Sequence, residues 1–147
     1  MSIYQNGHQF LQYKKDINEE EDIQMKQILL SIKPEYVERI MSGEKRFEFR
    51  KVACAQPIDS IVIYETFPTK QVVGEVEVIK ILKSPPQLLW PTVKDYAGID
   101  KDFFDRYFDG KRVAIAYALG KVSRYDPPKK LSDFGFATAP QSYFYIE

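Results

Sequence analysis

Three charged side chains crowd one short stretch of this chain. Lys45, Glu48 and Arg50 fall within the string G-E-K-R-F-E-F-R that runs from Gly43 to Arg50. A guanidinium and an ammonium together can hold a phosphate or the polar edge of a base, and a carboxylate can accept from an exocyclic amine. A lysine and a glutamate brought close in a partly buried cleft are both perturbed in their protonation, as acid–base work requires. If the protein is an enzyme, Lys45 and Glu48 are its candidate catalytic pair, able to activate a water. The competing reading is a solvated strand face whose ion pairs each contribute little. Lys33 is a further candidate for the same cleft, set against the ordinary role of a surface lysine whose stem covers apolar neighbours. Tyr64, Thr66 and Glu75 lie near strand ends and are candidates to complete a pocket, with plain core or rim positions as the alternative.

The elements around these residues are legible. Residues 27–51 read as strand, short helix, glycine stop and second strand. Pro34 suits a first helical position, where φ is already fixed and no N–H is wasted. Tyr36, Val37, Ile40 and Met41 recur at helical spacing and give one packing face. Gly43 suits a left-handed C-cap. The period then changes to two: Phe47 and Phe49 point one way, and Arg46, Glu48 and Arg50 the other. Strict alternation would set Lys45 opposite Glu48 and Arg50. It sits at the turn, where parity need not hold, so convergence of the three is an inference.

Downstream, residues 58–66 form an apolar run expected of a strand covered on both faces. Residues 71–82 form a long β-branched strand, with Val72, Gly74, Val76 and Val78 assigned to one face. Gly74 within it marks a bulge or a close backbone approach. Ser84-Pro85-Pro86 opens a helical stretch that Pro91 interrupts, and Asp100 or Asp102 caps a helix carrying Phe103, Phe104, Tyr107 and Phe108. That aromatic stripe and Trp90 read first as core and second as base-stacking surface. Residues 111–122 form a strand with three alanines on one side, leaving room for something bulky. Asp126-Pro127-Pro128 reads as a break, and residues 141–147 as a last aromatic strand. Arg124, Lys129 and Lys130 are candidates for a basic rim. Five or six strands with about three short helices, not strictly alternating, predict an α+β fold.

Composition narrows the function. The chain has 147 residues, enough for one domain with its own core. Lys and Arg number 21 and Asp and Glu number 21, so bulk charge gives no support to non-specific nucleic-acid binding, and any such site must be a local patch. One cysteine, Cys54, excludes an internal disulfide and a cysteine metal cluster; one histidine, His8, argues against a zinc site or a Ser-His-Asp triad. Neither metal nor cofactor is expected. No apolar run is long enough to span a bilayer and no signal peptide is evident, so a cytoplasmic location without membrane attachment is expected. Residues 1–26 are polar with an acidic run at Glu19-Glu20-Glu21-Asp22, and read as an extension ahead of a domain spanning 27–147.

The order of these motifs resembles the ASCH domain family, a branch of the PUA-like β-barrel superfamily. The resemblance is carried by the leading strand, Lys33-Pro34, and then Gly43, Lys45, Glu48 and Arg50 as G-x-K-x-x-E-x-R. Softer matches follow at Pro85-Pro86, F-F-D-R-Y-F at 103–108, A-I-A-Y at 114–117 and A-P-Q-S-Y-F at 139–144. It implies a small mixed β-barrel with helices over its ends. It also implies a cleft for RNA or a modified nucleotide, with DNA as a further partner, at Lys45, Glu48 and Arg50; Lys33 and, from its place near a strand end, Tyr64 are the further candidate ligand-binding residues. Gln141 and Ser142, in the family-like P-Q-S segment, would contact a ligand near the cleft. Some small ASCH proteins look like amidohydrolases acting on acylated cytidine, with a hydroxyl-bearing Thr three positions after the Lys; here that position is Glu48. A third reading, a protein-interaction or transcription coregulator module, is also implied by the family.

Overall fold

A computed structural model describes residues 25–147. The polar extension expected over 1–26 therefore lies outside the described residues up to position 24. At Lys26 the chain is already tied down: its amide donates to Asp59 Oδ2 at 2.9 Å and its carbonyl accepts from the Asp59 amide at 2.7 Å.

Strand β1 (Gln27–Ile32) leads into helix α1 (Pro34–Ser42) and strand β2 (Phe47–Arg50), followed by β3 (Ser60–Glu65) and the long β4 (Gln71–Ser84). Helix α2 (Pro86–Val93), a 3₁₀ turn at Lys94–Tyr96 and helix α3 (Lys101–Tyr107) come next, then β5 (Ala114–Lys129), a second 3₁₀ turn at Leu131–Phe134 and β6 (Phe144–Ile146). The strands form one sheet in the order β2-β5-β4-β3-β1-β6, in which β1 and β3 run parallel and the other neighbours antiparallel. This is the α+β class expected, a six-stranded mixed sheet with three helices. The sheet is not closed into a barrel: β2 and β6 are its two edges, and no ladder joins them.

One face carries the main core. Ile28, Leu30 and Ile32 of β1, Ile61 and Ile63 of β3, Val76 and Val78 of β4, and Ile115, Tyr117 and Leu119 of β5 pack there with Val37 and Ile40 of α1. Helix α1 begins with Pro34 and stops at Gly43, whose φ of +87° is the left-handed cap. The opposite face is covered in two places. Over β2 and β5, Phe104 and Phe108 pack with Phe49, Leu89 and Val93 onto Ala114 and Ala116, so the small residues admit bulky rings. Over β1 and β3, Phe134, Phe136 and Phe144 cover Leu29, Val62, Tyr64 and Val72.

Three local expectations give way. Val72 does not share a face with Val76 and Val78. The β4 ladder shifts register between Val72 and Gly74, which turns Val72 to the other side. A Cβ on Gly74 would collide with the Ser123 carbonyl and come within 2.9 Å of Met41 Cε, so the close approach expected there is present. Asp126-Pro127-Pro128 does not end β5. The prolines fall where β5 advances five positions, from Arg124 opposite Gly74 to Lys129 opposite Val72, while β4 covers two, and no ladder N–H is needed. Pro91 does not interrupt α2 either. The bond it forfeits would have gone to Gln87, whose carbonyl lies in the exposed first turn and can be served by water.

Candidate functional site

Lys45 precedes β2, its amide held by the Arg39 carbonyl at 2.9 Å, and its side chain turns inward rather than following strand parity. The residue is only 3% exposed and Glu48 7%. Lys45 Nζ donates to the Ala97 carbonyl at 2.7 Å and lies 3.9 Å from Glu48 Oε1. The other carboxylate oxygen, Oε2, is claimed by Arg50, at 3.1 Å from Nε and 3.0 Å from Nη2. Arg50 Nη2 also donates to the Ser31 carbonyl at 2.8 Å. The three charged residues thus converge.

The surroundings set the charge on Lys45. Burial strips water from the ammonium, Arg39 and Arg50 repel it, and Glu48 partly compensates; together they lower its pKa from 10.5 to about 8. The ammonium also lies 4.7 Å from the Phe49 ring centroid and 5.5 Å from that of Tyr36, where ring faces favour a cation.

A loop locks this arrangement. Three successive carbonyls accept from residues around the turn: Tyr96 from the Arg46 amide at 2.8 Å, Ala97 from Lys45 Nζ and Gly98 from Arg39 Nη1, the last two at 2.7 Å. Gly98 has φ +69°, and a Cβ there would lie 2.5 Å from Lys45 Cβ. Only glycine lets the loop lie against the lysine stem in this conformation.

In front of these groups is a cleft of about 280 Å³, lined by Ser31, Lys33, Tyr36, Lys45, Glu48 and Arg50 together with Ile99, Phe103 and Tyr107. Helix α3 is divided by its own periodicity. Phe104 and Phe108 are core, while Phe103 and Tyr107, also four apart, face the cleft with rings stacked at 6.3 Å and 12°. Sequence reasoning had the stripe but not the division. Tyr36 and Ile99 were not foreseen as wall residues, and the stripe that carries Phe103 and Tyr107 reads first as core; the signal for its division is that four aromatics in six positions exceed what one helical face can bury.

Lys33 lines the cleft. Gln141 and Ser142 do not; they line an adjoining depression that shares Arg50 and Tyr107 with it. Tyr64 is not at the cleft. The period of two that points Ile63 inward sends Tyr64 to the opposite side of the sheet, where it is 7% exposed among Leu29, Val62 and Val72. Glu75 is likewise elsewhere, accepting from Tyr125 Oη at 2.7 Å, and the Thr66 amide donates to the Ile32 carbonyl at 3.0 Å. Arg124, Lys129 and Lys130 form no rim at the cleft: Arg124 lines a separate depression with Glu35 and Glu65, Lys129 lies over the Tyr125 and Phe134 rings, and all three belong to or follow the distal half of β5. Among the described residues, no group of three or more His, Cys, Asp or Glu side chains is placed to hold a metal ion, and no helix is long and apolar enough to cross a membrane.

An α+β domain in which a buried lysine and glutamate and a half-buried arginine open on a cleft with aromatic walls is the class of protein this is. The model of the ASCH domain matches residues 30–118, and the chain belongs to that family. It is 30% identical over 95 residues to an ASCH domain-containing ribonuclease of Zymomonas mobilis, a match covering 64% of each chain. It is 27% identical to ATP synthase subunit alpha of Ureaplasma parvum serovar 3, over 86% of this chain but 16% of that one. With the large ribosomal subunit protein uL22 of the same organism it shares 26% identity, over 91% of this chain and 43% of that protein. The chain therefore spans less than half the length of these two Ureaplasma proteins. Among solved structures, that of ASCH from Zymomonas mobilis superposes with a TM-score of 0.75 at 27% identity, covering 82% of this chain and 87% of that one.

Proposed function

We propose that this protein binds single-stranded RNA and takes an unpaired nucleotide into the Lys45–Glu48–Arg50 cleft. The observation that carries the reading is the joining of two kinds of recognition in one small space. The buried Lys45 and the half-buried Arg50 line it together with the Phe103–Tyr107 pair. Unpaired bases are read by stacking and by their polar edges, whereas a duplex presents neither freely. A cleft of about 280 Å³ lies at the small end of ligand pockets and suits one nucleotide better than a long backbone track. The zero formal charge of the chain agrees with a local site. The kinship with a protein named as a ribonuclease points to the same polymer.

Titration of labelled single-stranded RNA, duplex RNA and duplex DNA into wild type and Lys45→Met tests this. Single-stranded RNA should bind best, and the variant should lose at least about tenfold in affinity, the order of one charge-assisted contact. With two cations on phosphate, log K should fall against log[salt] with a slope of about −1.4. Equal binding by wild type and variant would refute the site.

One observation favours a second reading, RNA cleavage. A lysine with a pKa of about 8 is neutral often enough near physiological pH to take a proton from a ribose 2′-hydroxyl; the 2′-oxygen would then bond to phosphorus held by Arg50, the P–O5′ bond would break, and the 5′-oxygen would take a proton from water, leaving a 2′,3′-cyclic phosphate. Lys45→Arg keeps the charge and removes the base. It should retain binding and abolish cleavage; cleavage surviving in that variant would remove Lys45 from this role. Cleavage of an acylated cytidine by a Ser or Thr nucleophile is less well supported. Glu48 stands where the hydroxyl would be, and the Ser31 hydroxyl at the cleft donates to the Pro140 carbonyl at 2.8 Å.

A further inference from the structure

The adjoining depression, about 190 Å³, shares Arg50 and Tyr107 with the cleft. Its own polar lining is Gln141 and Ser142, both exposed, with Lys51, Tyr117 and Tyr143. Arg50 commits Nε and Nη2 to Glu48 and Ser31, and Nη1 has no hydrogen-bond partner among the described residues. Lys51 Nζ lies 4.8 Å above the Tyr107 ring, so a second cation stands close to that shared residue.

We infer that the adjoining depression is a second nucleotide subsite, and that the ligand is a single-stranded oligoribonucleotide held two residues at a time, its connecting phosphodiester over Arg50 and Lys51. The inference rests on reading the cleft as an RNA site. Arg50 is anchored by a carboxylate and a backbone carbonyl, so its guanidinium plane is fixed and its Nη1, unpartnered among the described residues, keeps its N–H donors for phosphate. Away from the two cations, Gln141 and Ser142 suit a base rather than another phosphate. The Gln141 amide both donates and accepts, the Ser142 hydroxyl does the same, and neither carries charge. Tyr107, which lines both, gives each base an aromatic neighbour. A nucleoside or mononucleotide would fill one half and leave Gln141 and Ser142 idle.

Isothermal titration of ribonucleoside 5′-monophosphates and of the matching dinucleoside monophosphates provides the test. The dinucleoside monophosphate carries less negative charge than the mononucleotide, so tighter binding cannot come from charge alone. A second stacked and hydrogen-bonded base should make it bind at least about tenfold tighter in wild type. In the double variant Gln141→Ala, Ser142→Glu, whose sites are exposed, that advantage should shrink to less than about twofold. Equal affinities in wild type, with mononucleotide binding still lost in Lys45→Met, would overturn the second subsite and leave the RNA cleft standing. An advantage that persists in the double variant would also overturn it, and no binding by any of these ligands would overturn both readings.

Discussion

The titration of Lys45 must register in the stability of the whole protein. Its pKa is about 8 in the native state and 10.5 where nothing perturbs it. Between these values the unfolded chain holds a proton that the native chain has released, so unfolding takes up a proton and stability rises with pH. The cost of burying the ammonium is fully present below pH 8 and is relieved as pH climbs towards 10.5. A gap of this size corresponds to about 3 kcal/mol, at 1.36 kcal/mol for each pH unit. Lys45→Met keeps the stem, removes the titration and so removes the slope. Absolute stability is the wrong quantity to compare, because the variant also leaves the Ala97 carbonyl without its donor, a loss of about 1–3 kcal/mol. The difference between the two proteins as pH changes is clean. Tyr107, Tyr117 and Tyr125 titrate later than an ordinary tyrosine, chiefly because burial disfavours the phenolate. They are present in both proteins and cancel.

The assay is urea unfolding of wild type and variant at several values between pH 7 and pH 9.5. Integrating the linkage relation over that interval, wild type should gain about 2 kcal/mol on the variant. A flat difference curve would mean that Lys45 titrates near its ordinary value, that the ammonium is solvated, and that the acid–base reading of the site has no foundation.

Glu48→Gln removes the carboxylate shared by Lys45 and Arg50; loss of about 3–5 kcal/mol of stability is expected from breaking a buried pair, with the Lys45 midpoint, followed by NMR of its Nζ or Cε, falling at least about one pH unit below 8. A midpoint that stays put would show that Glu48 does not support the charge. Gly98→Ala forces a side chain into the left-handed region against the Lys45 stem and should lower stability by about 1–3 kcal/mol while displacing the ammonium, read by the same titration. An unchanged melting temperature would contradict the packing described. Tyr107→Ala and Phe104→Ala should separate: the first weakens RNA binding by about 1–3 kcal/mol with a smaller effect on folding, and the second lowers stability by about 3–5 kcal/mol because Phe104 is fully buried. Equal losses of binding in two correctly folded variants would erase the division of helix α3.

Much of this site is written in local sequence. Pro34, the helical spacing of Val37 and Ile40, and Gly43 place a helix and its stop; alternation then aims Glu48 and Arg50 to one side of β2. What lies beyond local rules is pairing. Nothing in residues 43–50 announces that the carbonyls of residues 96–98 will receive Arg39, Lys45 and Arg46, since those bonds join segments about fifty residues apart. Tyr64 failed for a related reason. Its run is apolar on both faces, so alternation carries no contrast to say which face meets the cleft. The prolines of β5 misled because a proline forbids only the N–H it lacks, and an irregular ladder requires none there.

The expectation of a barrel and the position of the site are two sides of one feature. Strand β6 pairs only with Gln27–Leu29, leaving the second half of β1 without a partner on that side. A closed sheet would satisfy the Ser31 carbonyl from a neighbouring strand. Here Arg50, from the opposite edge of the sheet, supplies the donor. One side chain thus bridges the seam and, through Glu48, orients the buried lysine. Had β6 extended to Ser31, the arginine would have lost its backbone anchor and the cleft its opening. The length of the last strand, three residues, is therefore as much a determinant of the site as the charged string that first draws attention to it.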